Sequence, residues 1–177
     1  DLLDIARISQ GKLTLRPGEV VLSRVLDAAV EIARPWLEAG RHNFQTRLPA
    51  AELVLHADEA RLAQVFANLL NNAAKYSDPG SRIELEASLD EARDEVVVSV
   101  RDDGIGLARE TLDEVFEIFR QVDTTVERAQ GGLGIGLTLV QKITEMHAGC
   151  VQVESDGLGR GSTFRVRLPR AGGAPGE

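Results

Sequence analysis

The chain has 177 residues, 43% of them hydrophobic and 27% charged, which suits one folded domain with short extensions and not a disordered segment. A net charge of -8 argues against a nucleic-acid face, and the sequence holds no polybasic segment for an anionic membrane. The single cysteine, Cys150, excludes an intramolecular disulfide and a cysteine metal cluster, and no apolar run reaches membrane-spanning length.

Residues 1–9 place apolar side chains at helical spacing and stop before Gly11, the pattern of the last turns of a helix whose start lies upstream. Residues 10–16 read as a connector and Pro17-Gly18 as a turn. Ser23 is placed to cap a helix running to about Ala39, with Leu26, Val30, Ala33 and Leu37 as its apolar stripe. Gly40 ends it, and short strands follow at Asn43–Leu48 and Leu53–His56. Asp58 caps the next helix, whose stripe of Leu62, Val65, Phe66, Leu69 and Ala73 keeps the 3.6-residue period until Pro79-Gly80.

Arg82–Leu89 and Glu95–Arg101 alternate as antiparallel strands do, with Val96, Val98 and Val100 on one face. A short helix near Arg109–Val115 leads into the polar, non-periodic stretch Gln121–Gln130. A helix starts by Gly136 and stops at Gly149, followed by strands Val151–Ser155 and Ser162–Leu168. Cys150, in the apolar Gly149-Cys150-Val151, is expected to be a small buried residue. The expected architecture is α/β, a two-layer sandwich of one mixed, mainly antiparallel sheet with three main helices on one face. The expected boundaries are 1–16 for the helix end and connector, 17–169 for the domain and 170–177 for a flexible tail. With no signal-peptide pattern, the expected location is cytoplasmic, and any membrane segment of a parent protein would lie outside these residues.

Three segments carry chemistry. Asn68, Asn72 and Lys75, spaced i, i+4 and i+7, form one row on a helix, and two amides with an ammonium suit a hard cation bound together with phosphates. Asparagine is a mediocre helix former, so Asn68, Asn71 and Asn72 within one helix argue for more than a solvated face. Asp102-Asp103-Gly104-Ile105-Gly106 ends a valine-rich strand: the glycines allow close approach of a flat ligand, and a carboxylate there can accept from an exocyclic amine. Gly131-Gly132-Leu133-Gly134-Ile135-Gly136-Leu137 opens a helix, as phosphate-binding loops do. It has neither the Gly-Lys-Ser/Thr of a Walker loop nor the position of a dinucleotide fingerprint. Each segment alone also reads as a polar face, an ordinary turn or a hinge. In this order they describe a nucleotide pocket.

That order resembles the ATP-binding catalytic domain of sensor histidine kinases. Asn68 to Ser77 is similar to their N box, Asp102 to Gly106 to the G1 box, Phe116-Glu117-Ile118-Phe119 to the F box, Gly132 to Leu137 to the G2 box, and Gly161-Ser162-Thr163-Phe164 to the closing strand motif. The resemblance covers about residues 17–169 and implies the Bergerat α/β sandwich shared with gyrase and MutL-type ATPases. It further implies ATP and Mg²⁺, with Asn72 as the magnesium ligand, Asn68 beside it, Lys75 on phosphate and Tyr76 near the sugar or base. Asp102 would read the adenine amine, with Ser162 or Thr163 helping through water, at a turn formed by Gly104, Ile105 and Gly106. Gly132, Leu133, Gly134, Ile135, Gly136 and Leu137 would close a lid over the phosphates, Phe116 and Phe119 would anchor its base, and Arg128 would reach the γ-phosphate.

By the same resemblance, residues 1–9 are the tail of the second dimerisation helix that precedes this domain in the family, and the acceptor histidine of that helical hairpin is absent here. The partners implied are this histidine-bearing domain and a response regulator or receiver domain, in a bacterial two-component phosphorelay. The isolated domain is expected to be monomeric, with no nucleic-acid or membrane contact. In gyrase-like relatives a glutamate sits one turn before the metal-binding asparagine. Here that position is Asn68, which cannot serve as a base, so kinase chemistry is favoured over a hydrolysing ATPase, while intact Asn72, Asp102 and the glycines Gly132, Gly134 and Gly136 argue against a degenerate binding module. His42, His56 and His147 lack the helical acidic setting of an acceptor and are expected to be structural.

Overall fold

The computed structural model describes residues 2–117 and 136–171. In chain order it runs α1 (Leu2–Ser9), β1 (Gly18–Val21), α2 (Leu22–Ala39), β2 (Asn43–Arg47), β3 (Val54–Ala57), α3 (Glu59–Lys75), β4 (Arg82–Asp90) and β5 (Glu95–Asp102), then α4 (Gly136–Met146), β6 (Cys150–Glu154) and β7 (Ser162–Pro169). The main sheet has the order β2-β4-β5-β7-β6, with β2 parallel to β4 and every other pair antiparallel.

The sheet has one covered face. Ile83, Leu85 and Ala87 of β4, Val96, Val98 and Val100 of β5, and Phe164, Val166 and Leu168 of β7 are all buried, while the residues between them are not. The two-residue period of a strand sets this alternation. Each valine withdrawn from water contributes roughly 1.5–3 kcal/mol. The helices close that face, with α3 packed between α2 and α4. Leu62, Val65, Phe66, Leu69 and Leu70 of α3 are each 1% exposed or less, a wider stripe than one amphipathic face because α3 has neighbours on three sides.

Three expectations are corrected. Pro17-Gly18 is not only a turn: Gly18–Val21 is a strand, and it pairs antiparallel with β3 in a separate two-stranded sheet. With Val20 its one buried residue, β1 is too short to show a period. Ser23 does not cap α2, which begins at Leu22 after Val21 with no side-chain cap; strand passes directly into helix, and the Leu22 N–H donates to the Leu53 carbonyl at 2.9 Å. Cys150 is exposed. It starts the edge strand β6, where Val151 and Val153 face the core and the alternate residues face solvent.

Asp58 is the N-cap expected of it. Its Oδ1 accepts from the Arg61 N–H at 3.2 Å, and its Oδ2 accepts from the Arg16 N–H at 2.9 Å, fastening the connector to α3. The Asp58 N–H donates to His147 Nε2 at 3.0 Å, and Nδ1 donates to the Ile143 carbonyl at 2.8 Å. One imidazole thus joins the C-terminal end of α4 to the start of α3. α1 docks through buried Ile5 and through Asp4, which meets Arg61 at 3.1 Å.

Candidate functional site

On β5 the covered face reads Val96, Val98, Val100 and then Asp102, so the strand period carries a carboxylate to a position that is 6% exposed. Its Oδ1 accepts from the Gly104 N–H at 2.8 Å and its Oδ2 from the Ser162 hydroxyl at 2.9 Å. Burial pushes the Asp102 carboxyl above its ordinary range, the bonds from Gly104 and Ser162 pull it back, and the neighbouring Asp103 adds to the rise. A carboxylate offers about four lone-pair sites over its two oxygens, so these bonds leave capacity for a further donor.

The turn after Asp102 leaves no room for side chains. A Cβ on Gly104 would strike the Tyr76 carbonyl oxygen and lie 2.6 Å from Asp102 Oδ1 and 2.9 Å from the Ser77 hydroxyl. Gly106 has φ 67°, and a Cβ there would strike the Gly157 carbonyl oxygen. The Ile105 N–H donates to the Tyr76 carbonyl at 3.0 Å, which ties this turn to the C-terminal end of α3.

On α3 the residues Asn68, Asn71, Asn72 and Lys75 are half-buried, and Leu69, Leu70, Ala73 and Ala74 between them are buried. The amide nitrogen of Asn68 and the Ser77 hydroxyl oxygen are buried and have no hydrogen-bond partner among the described residues. Lys75 Nζ sits 5.4 Å from the centre of the Tyr76 ring, within cation–π range. The structure therefore gathers the end of α3, the turn 102–106 and Ser162 in one place.

Thr163 belongs elsewhere: it follows Ser162 on β7 and so projects from the opposite face of the sheet. Gly136 and Leu137 open α4, and a Cβ on Gly136 would meet nothing within 4 Å. The next residue, Thr138, is buried and donates from Oγ1 to the Phe116 carbonyl at 2.8 Å. The Phe116 ring meets Phe164 edge-on at 6.2 Å, so this aromatic is anchored on the sheet. Phe119, Arg128, Gly132, Leu133, Gly134 and Ile135 lie outside the described residues.

The structure adds residues that the sequence did not single out. Ser77 faces the glycine turn, and Ser155, Gly157 and Gly159 form a loop that backs it. The spacing Gly157-Leu158-Gly159-Arg160-Gly161 signals a tight loop, but nothing local says what it touches. Of the histidines, His42 bonds the Ala74 carbonyl at 3.1 Å, His147 makes the bridge described above, and His56 is exposed on β3.

Residues 57–172 match the family described as histidine kinase-, DNA gyrase B-, and HSP90-like ATPases. The autoinducer 2 sensor kinase/phosphatase LuxQ of Vibrio cholerae is 35% identical over 171 residues, covering 96% of this chain and 20% of the relative. The adaptive-response sensory kinase SasA of Synechococcus elongatus is 35% identical over 169 residues, covering 96% of this chain and 43% of the relative. The chain thus spans about a fifth to two fifths of such relatives. Among solved structures, full-length ShkA in complex with AMPPNP superposes with a TM-score of 0.83 at 28% identity, over 98% of this chain and 35% of that one. The mycobacterial sensor histidine kinase MprB shares the fold at a TM-score of 0.77 and 24% identity, over 86% of this chain and 98% of that one.

Proposed function

This chain belongs to the family of histidine kinase-, DNA gyrase B-, and HSP90-like ATPases as an ATP-binding kinase domain, and on that premise we propose that it transfers the γ-phosphoryl group of ATP to a histidine on a helical hairpin outside these residues. The observation that carries the proposal is Asp102, a buried carboxylate held by Gly104 and Ser162 at a turn too tight for side chains. Its remaining lone pairs suit the exocyclic amine of adenine, and a charged acceptor makes that bond worth about 1.5–3 kcal/mol. Ser162 orients the carboxylate, and Lys75 contacts phosphate. The unpaired amide nitrogen of Asn68 suits a phosphate oxygen.

The donor set on α3 also fits magnesium. Among the described residues no three His, Cys, Asp or Glu side chains cluster for a metal. Mg²⁺ needs no such cage, because it commonly keeps waters and phosphate oxygens and takes one or two protein ligands. Asn72, with Asn68 beside it, would hold the ion, which would offset charge on the transferred group. Neither amide can deprotonate water, and this favours transfer over hydrolysis.

Residues 1–16 serve as the end of the dimerisation helix and its connector, 17–169 as the catalytic domain and 170–177 as a linker. The histidine-bearing domain of the same protein and a receiver domain are the proposed partners, and the separate domain is a monomer. Among the described residues no helix is long and apolar enough to cross a membrane. The test is incubation of this chain and Mg²⁺-ATP with the parent protein's histidine-bearing hairpin. Acid-labile phosphate on the hairpin is the expected result. Rapid phosphate release with nothing on the hairpin would overturn the proposal in favour of a hydrolase.

A further inference from the structure

Ser155 follows β6 directly and sits half-buried at the start of the bend 155–161. Its Oγ accepts from the Leu107 N–H at 3.0 Å and from the Gly157 N–H at 3.3 Å, and its hydroxyl donates to the Gly161 carbonyl at 2.7 Å. A hydroxyl has one proton and two lone pairs, so all of its capacity is used. Leu107 closes the turn that begins at Asp102. Gly161 immediately precedes Ser162, the residue that bonds Asp102 Oδ2.

Two backbone bonds run beside this hydroxyl. The Gly159 N–H donates to the Ile105 carbonyl at 2.7 Å, and the Gly161 N–H donates to the Gly104 carbonyl at 3.1 Å. Glycines at 106 and 161 let the two segments touch, since a Cβ on Gly161 (φ 69°) would strike the Asp102 carbonyl oxygen. Segment 104–107 is thereby zipped onto 155–161, and among the described residues Ser155 is the one side chain that bonds both sides of the zip.

We propose that Ser155 is a positioning residue for recognition of the base: without touching the ligand, it sets the spacing between the Asp102 carboxylate and the Ile105–Leu107 wall, and so tunes selection for a purine bearing an exocyclic amine. This rests on the reading of Asp102 as the acceptor for adenine. Removing the hydroxyl leaves the Leu107 N–H and the Gly161 carbonyl without it, and the turn relaxes away from the base.

The test is calorimetric titration of Ser155→Ala, Ser155→Cys and Ser155→Thr with ATP and with purine riboside triphosphate, which lacks the 6-amino group. Thermal melts of each variant accompany it. Alanine is expected to weaken ATP binding about tenfold and the purine analogue only about twofold, since the lost bonds act on the amine contact. Cysteine fills nearly the same space but bonds weakly, so it should behave as alanine does, whereas threonine keeps the hydroxyl and the preference. If alanine melts without cooperativity, cysteine carries the comparison. Alanine and cysteine variants that keep the amine preference would overturn the inference, as would equal losses for both nucleotides. If the unaltered chain binds ATP no better than the analogue, the reading of Asp102 falls first and this inference falls with it.

Discussion

Asp102 shows at the scale of one residue how a site can work against its fold. In the unfolded chain its carboxyl ionises at its ordinary value, and in the folded chain it ionises higher because it is buried. Folding therefore favours the protonated form. That contribution is fully present below the ordinary carboxylate value and is lost as pH rises through the raised one. At neutral pH the ionised side chain is a liability to stability that the proposed contact with adenine requires. Asp102→Asn should therefore melt no lower than the parent at pH 7, with any advantage shrinking as pH falls toward 4, as calorimetric melts across that range would read. A clear loss of stability at neutral pH would mean that the bonds from Gly104 and Ser162 outweigh burial. Asp102 was legible in the sequence because it ends an alternating valine strand beside two glycines. Ser155 was not, because its partner Leu107 lies 48 residues away and a serine in a glycine-rich bend shows no period.

At the scale of elements, α3 does most of the organising. Its buried stripe forms the centre of the core, its half-buried row of Asn68, Asn72 and Lys75 belongs to the proposed site, and its N-cap gathers the connector and the end of α4. The periodicity of this helix and its acidic cap are local signals, so the sequence revealed both. The pairing of β1 with β3 is a tertiary outcome between two four-residue strands and left no pattern to read. Cys150 misled for a related reason: its apolar neighbours suggested burial, but only sheet order reveals that β6 is an edge. Asp58→Ala removes the cap on α3 and the acceptor for the Arg16 N–H together. It should cost about 1–2 kcal/mol, seen as a lower denaturation midpoint with an unchanged slope. A midpoint that does not move would show that the cap and the connector contact contribute nothing to stability.

For the whole molecule, the proposed nucleotide site brings together a buried carboxylate, a polar row on α3 and a glycine turn, and the amides of Asn68 and Asn72 in that row cannot activate water. Among the three histidines, His42 and His147 are committed to backbone bonds and His56 is exposed on the small sheet. After incubation with Mg²⁺-ATP the chain alone should carry no stable phosphohistidine by mass spectrometry, and its ATP turnover should stay far below the roughly 10 s⁻¹ typical of enzymes. Phosphate on any of the three histidines would contradict this. The order of the motifs along the chain revealed the fold class and the kind of ligand. The zip between the glycine turn and the β6–β7 loop could not be read there, because it exists only once β5 and β7 are paired. The most direct test of the central claim is calorimetric titration of Mg²⁺-ATP into this chain beside Asp102→Asn. Saturable binding by the parent, weakened at least about tenfold in the variant, is the result predicted from loss of a charged acceptor. Equal binding by the two chains, or none by the parent, would contradict the reading of Asp102 as the residue that recognises adenine.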